Sequence, residues 1–146
     1  MDEGKQTPKR TVFLPDELRS QLAAWAIDGY PRETCGLLIG RADGAETRVR
    51  RAVLARNLNV ARARDRFELD PQDFLAADRE ARGAGLEIVG TWHTHPDHPA
   101  RPSPTDLESA WEGWSYVIAS VTRDGVVDLR AWRLAGSAFA EEEIRT

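Results

Sequence analysis

The stretch Ile88-Val89-Gly90-Thr91-Trp92-His93-Thr94-His95-Pro96-Asp97-His98-Pro99-Ala100-Arg101-Pro102-Ser103-Pro104-Thr105-Asp106 decides how this chain is read. Ile88, Val89 and their neighbours read as a buried strand that His93 and His95 close. A strand turns successive side chains to opposite faces, so the two histidines point the same way. Two imidazoles side by side on one face suit two corners of a tetrahedral zinc site. The proline-rich loop then leads into a helix that begins near Ser103 and Pro104. Asp106 falls in its first turn, from which its carboxylate can return to the same point. Two histidines and one aspartate leave the fourth position open, which is the arrangement of a catalytic rather than a structural zinc.

Each part also has an ordinary explanation. His-X-His at a strand end occurs by chance, and Ser-Pro-Thr-Asp is a plain helix start. Ser103 is a good N-cap, and Asp106 favours the positive end of the helix dipole. The two readings are compatible, because a carboxylate on a capped first turn is rigidly aimed. Glu33 is the fourth element. It precedes Thr34-Cys35-Gly36-Leu37-Leu38-Ile39-Gly40, a near-continuous apolar run that reads as a central strand. A carboxylate near a metal there takes a proton from the attacking water and delivers it to a leaving amine. Alone, such a glutamate is an ordinary surface residue; the joint pattern is what singles it out.

Glu33, His93-Thr94-His95-Pro96 and Ser103-Pro104-Thr105-Asp106 together resemble the signature of the JAMM (JAB1/MPN) metalloprotease family. That signature is a Glu, then His-Ser/Thr-His, seven residues, Ser, two residues and Asp, and the chain keeps this spacing without a gap. The resemblance extends over Thr11 to Leu134, including Glu-Thr-Cys-Gly-Leu-Leu and the Phe67-to-Pro71 lead into a helix. It implies a zinc-dependent hydrolase of amide or isopeptide bonds. His93, His95 and Asp106 are then the Zn2+ ligands, Glu33 the acid/base, and Ser103 a hydroxyl that stabilises the oxyanion. The implied fold is α/β, a single domain with a curved mixed β-sheet flanked by helices, JAB1/MPN and cytidine-deaminase-like. The short loop between His95 and Ser103 and the minimal length resemble the small stand-alone prokaryotic members. The implied partner is a ubiquitin-like or sulfur-carrier protein with a Gly-Gly tail. Some members lack the ligands and act as non-catalytic assembly modules; this chain retains all of them. A zinc nucleoside deaminase needs His-X-Glu and Pro-Cys-X-X-Cys, and neither is present.

Outward from the motif, the pattern predicts a short strand at Thr11–Leu14 and a helix from Pro15-Asp16 to Asp28-Gly29, with Gly29 as a left-handed ending. Ala42-Asp43-Gly44-Ala45 is a hairpin signal between the central strand and a strand over Thr47–Asn57. Phe67 and Leu69 suggest another short strand. Asp70-Pro71 caps a helix to about Arg82 with Phe74, Leu75 and Ala81 inward. The helix after Ser103 is expected to reach about Glu112. Strands follow at Tyr116–Val121 and Val127–Leu134, and Phe139–Arg145 reads as a last strand or short helix. Domain assignment is a disordered tail over 1–10 and a metallopeptidase domain over 11–146.

The 146 residues suffice for one domain with a real core. A net charge of −4 argues against nucleic acid as partner. No apolar run is long enough to span a membrane, and the N-terminus has no apolar signal region, so a cytoplasmic location is expected. One cysteine excludes an internal disulfide. Cys35 reads as a small buried residue, not a nucleophile, since no base is arranged for it. His98 reads as a solvated loop residue. Trp92, Trp111, Trp114 and Trp132 read mostly as core, with Trp111 or Trp114 a candidate wall for a substrate groove. The cluster Arg48, Arg50, Arg51, Arg56, Arg62, Arg64 and Arg66 reads as a solvated face, or as a steering patch for an acidic partner.

Overall fold

The computed structural model describes residues 9–64 and 67–146. The expected tail therefore lies, through residue 8, outside the described residues, as does Arg66 of the arginine cluster. The elements run β1 (Thr11–Phe13), α1 (Asp16–Gly29), β2 (Cys35–Ala42), β3 (Glu46–Ala55), α2 (Pro71–Gly83), β4 (Glu87–Pro96), α3 (Pro104–Glu108), β5 (Ser115–Thr122), β6 (Gly125–Ala135) and β7 (Ala138–Arg145).

The strand order is β1-β3-β2-β4-β5-β6-β7, and β1 pairs in parallel with both β3 and β7. The sheet is therefore a closed barrel, where the sequence suggested a curved sheet flanked by helices. Three residues close it. Phe13 faces Arg48 on one side and Arg145 on the other. Closure satisfies the edge groups that an open sheet leaves exposed.

β2 is buried on both faces, which explains its unbroken apolar run. Leu38 joins Leu22, Val89, Trp92 and Val117 in a cluster under α1, where Trp25 stacks on Trp92 with ring centroids 5.4 Å apart. Leu37 and Ile39 point the other way, to Ala77 and Ala81 of α2. The β2–β4 register skips Val89: Ile39 faces Ile88 and Leu38 faces Gly90. One inserted residue shifts the phase of everything after it. Val89 and Trp92 thus both fall under α1, while Thr91 and His93 face the cleft on the α2 side. Gly36 allows the approach of neighbours on both sides. A Cβ there would lie 1.9 Å from the Val53 carbonyl oxygen and 2.4 Å from Trp92 Nε1.

Several expected details change. α1 does not end in a left-handed residue: Gly29 lacks a positive φ, and Tyr30 follows at φ −54°. Gly29 is needed because a Cβ would lie 2.0 Å from Thr34 Oγ1. Phe67–Leu69 is not a strand; Leu69 makes a single bridge to Asn57. Leu75 is exposed, because Ala77 and Ala81 already fill the face of α2 against β2. α3 stops at Glu108, short of Glu112. The C-terminal segment resolves as strand, paired with β6 and β1. Among the described residues no helix is long and apolar enough to cross a membrane.

Candidate metal centre

Three segments converge at the C-terminal end of β4. His93 and His95 project from that strand, where His93 lies opposite Cys35 of β2 and Ile118 of β5. Glu33 lies just upstream of β2. Asp106 comes from the first turn of α3, in the crossover from β4 to β5. All four are buried or nearly so, with side-chain exposures of 5% for Glu33, 2% for His93, 9% for His95 and 9% for Asp106.

His93 Nε2 and His95 Nε2 are 3.1 Å apart. Asp106 Oδ2 lies 3.3 Å from the first and 3.2 Å from the second. Donors bound to a tetrahedral zinc at about 2.0–2.1 Å are separated from one another by about 3.3 Å. The triangle therefore has the size of one face of such a site. Glu33 Oε1 stands farther out, 3.9 Å from His95 Nε2. Glu33, His93 and His95 also form a group compact enough to hold a cation, and Asp106 lies closer to the histidines than Glu33 does.

Local structure aims each donor. Ser103 caps α3: its Oγ accepts from the Asp106 N–H at 3.1 Å, and Asp106 Oδ2 accepts from the Ser103 N–H at 2.8 Å. This capping box locks the carboxylate on a helix of only five residues. The Pro99 carbonyl oxygen lies 2.9 Å from His95 Nδ1. A proton on Nδ1 that donates to Pro99 leaves the Nε2 lone pair facing the triangle, as a metal-bound histidine requires. His93 is held differently. Its Nδ1 has no hydrogen-bond partner among the described residues, and Phe67 stacks on its ring at 4.5 Å.

The charges fit a cation. Burial lowers the His93 pKa below 6.5, keeping the ring neutral and able to ligate. Burial opposes protonation of His95 too, but the bonds to Asp106 and Pro99 outweigh it and the pKa is raised. Burial also opposes ionisation of Asp106. The contacts with both histidines and the Ser103 N–H prevail, holding it well below the usual carboxylate range. Two imidazole nitrogens and an ionised carboxylate so close together form a donor set that suits zinc.

A cleft of about 560 Å³ opens beside the triangle. Its lining combines Glu33, His93, Ser103 and Asp106 with the aromatic side chains of Phe74, Trp111 and Trp114. Trp111 and Trp114 stack at 5.8 Å, and Trp111 is 68% exposed. Trp111 is therefore groove wall, not core. Trp92 is fully buried, and Trp132 is half-buried with its Nε1 donating to the Ala100 carbonyl.

A family model described as prokaryotic homologs of the JAB domain matches residues 15–135. The chain belongs to the prokaryotic JAB family. A desampylase of Haloferax volcanii is 34% identical over 128 residues, 86% of each chain. A probable TtuB-protein conjugate cleaving protease of Thermus thermophilus is 30% identical over 115 residues, 79% of this chain and 72% of that protein. The solution structure of a protein from Desulfitobacterium hafniense superposes with a TM-score of 0.80 at 32% identity, covering 91% of this chain and 90% of that one.

In this prokaryotic JAB domain the remaining candidates divide. Cys35 is buried at the start of β2 with a raised thiol pKa. His98 is exposed, and its carbonyl accepts from Ser120. The described arginines of the cluster are exposed, and Arg48 and Arg51 pair with Glu46 and Glu80. Sequence reasoning passed over Thr94, whose hydroxyl accepts from the Thr34 N–H at 2.8 Å while its own N–H donates to the Thr34 carbonyl at 2.9 Å. The pair ties the Glu33 segment to the histidine strand. Its position between the two histidines was the available signal.

Proposed function

We propose that this chain is a zinc metallopeptidase that hydrolyses the amide bond at the C-terminal tail of a ubiquitin-like or sulfur-carrier protein ending in Gly-Gly. The observation that carries the reading is the 3.1–3.3 Å triangle of His93, His95 and Asp106 with Glu33 beside it at 3.9 Å. The names of the two curated relatives, one of them a protease that cleaves protein conjugates, support the choice of substrate.

His93, His95 and Asp106 would hold the ion. A zinc bound there supplies Lewis-acid polarisation and acidifies water toward a pKa of about 7. Glu33 takes the proton of the attacking water and passes it to the leaving amine, from its place in the cleft lining beside His95. Ser103 Oγ uses one lone pair to cap α3. Its O–H proton remains free to donate to the oxyanion. The cleft holds the tail, its aromatic lining meeting apolar side chains and its polar lining the scissile bond.

The test is incubation of zinc-loaded protein with Gly-Gly carriers extended or conjugated at the tail, followed by mass spectrometry. Release at the glycine carbonyl by the wild type, and none by Glu33→Gln, is expected. Wild-type protein with zinc bound that cleaves none of these substrates excludes this substrate class.

A further inference from the structure

We propose that Asn57, which lies outside the signature, is the positioning residue for Glu33. This rests on the reading of Glu33 as the acid/base. Glu33 precedes the first residue of β2, so the sheet ladder satisfies neither of its backbone groups. Both are taken up by the segment between β3 and α2. The Glu33 N–H donates to the Ala63 carbonyl, and its carbonyl accepts from Asn57 Nδ2 at 3.2 Å.

Among the described residues, the Asn57 side chain reaches three backbone groups at once. Its Oδ1 accepts from the Asn59 N–H at 3.0 Å and from the Glu68 N–H at 2.9 Å, while its Nδ2 serves Glu33. This orientation is fixed by chemistry: a flipped amide would set NH2 against two N–H groups and oxygen against a carbonyl. Beside it, the Leu58 N–H donates to the Glu68 carbonyl at 2.8 Å, and Asn57 bridges Leu69. One side chain therefore closes the neck of the 58–68 segment and fastens that neck to the Glu33 peptide. The same segment delivers Phe67 onto His93. On the other side, Thr34 is bonded to Thr94 on β4. The Glu33 peptide is thus suspended between the histidine strand and the neck, and loss of the neck removes one of these two backbone tethers.

A displacement of about 1 Å in a reacting group can lower the rate about a hundredfold. Among the described residues Asn57 makes no direct contact with His93, His95 or Asp106, whose triangle keeps its supports in the β4 ladder and the α3 cap. Its removal is expected to lower kcat with little change in KM or zinc content, a split that general destabilisation does not give.

The test compares full-length wild type, Asn57→Ala and Asn57→Asp. Expected are kcat values lower by about 10- to 100-fold, KM within about threefold, and unchanged zinc stoichiometry. Amide hydrogen exchange supplies a readout that needs no substrate. In Asn57→Ala, exchange at Glu33 and Glu68 is expected to accelerate by about tenfold or more, with Leu38 in β2 unchanged. Asn57→Asp keeps the acceptor for Glu68 and loses the donor to Glu33, so Glu68 protection persists while kcat falls. Should Asn57→Ala not fold, Asn57→Asp decides. A kcat for Asn57→Asp within about twofold of wild type, or unchanged Glu33 exchange in Asn57→Ala, overturns the proposal. If the wild type cleaves no carrier tail, the substrate class fails, and the exchange contrast still tests the positioning.

Discussion

Glu33 and Cys35 lie two residues apart and meet opposite fates. Glu33 faces the cleft beside the histidines. Cys35 begins β2 and has no exposed surface. Burial first, then the negative charges of Glu33 and Asp73, push its thiol up to about 12. At pH 8 only about one molecule in ten thousand then carries the thiolate, the form that reacts. Native protein is expected to resist a thiol-specific disulfide reagent for hours at pH 8, and to react with one equivalent at once in guanidinium. Rapid stoichiometric labelling of the native chain would mean that the thiol is open to solvent. The histidine pair was legible in the sequence because strand periodicity is local: residues two apart share a face wherever the strand lies. Asn57 was not legible. Its partners lie 2, 11 and 24 residues away, and no spacing rule links a side-chain amide to a distant backbone.

At the scale of elements, α3 is the smallest piece and the most exacting. Five residues make a marginal helix, and none of its residues is fully buried. Its direction depends on the capping box between Ser103 and Asp106, not on packing. Ser103→Ala removes a cap worth about 1 kcal/mol and the proposed oxyanion donor together. The expected result is a kcat about a hundredfold lower, with zinc still bound because the Ser103 N–H continues to hold Asp106. Zinc titration and steady-state kinetics on the same preparation check this. Full loss of zinc would place the role of Ser103 in aiming the ligand alone. The cap and proline that start α3 were readable from Ser103-Pro104, as were those of α2 from Asp70-Pro71. The end of α3 was not, since the residues after Glu108 turn away to form the cleft wall. Closure of the barrel by Thr11–Phe13 was equally hidden, because a three-residue strand carries no period and its partners are β3 and the distant β7.

For the whole molecule, the site exists only in the folded chain, because Glu33, the β4 histidines and Asp106 come from three separate segments. Zinc that binds the native and not the unfolded state therefore stabilises the fold by mass action. A thousandfold excess over Kd contributes about 4 kcal/mol. For a domain of this size that raises Tm by about 10 °C. The sign of the pH dependence follows from the histidines. In the metal-free fold, His95 has its pKa raised above 6.5, since the bonds to Asp106 and Pro99 outweigh burial. A proton on its Nε2 occupies the lone pair that the metal needs, so affinity falls as pH drops through that raised value. His93, lowered by burial, stays neutral to more acid pH. Asp106, held well below the usual range, remains ionised throughout the window. The zinc-induced rise in Tm is thus expected to shrink as pH falls through the raised His95 value, and to be larger at pH 8 than at pH 5. Differential scanning calorimetry with zinc or with a chelator across this range measures it, with His95→Ala as the control that shows no rise at any pH. A rise of equal size at pH 5 and pH 8, or one that survives His95→Ala, would place the stabilising ion away from the β4 histidines.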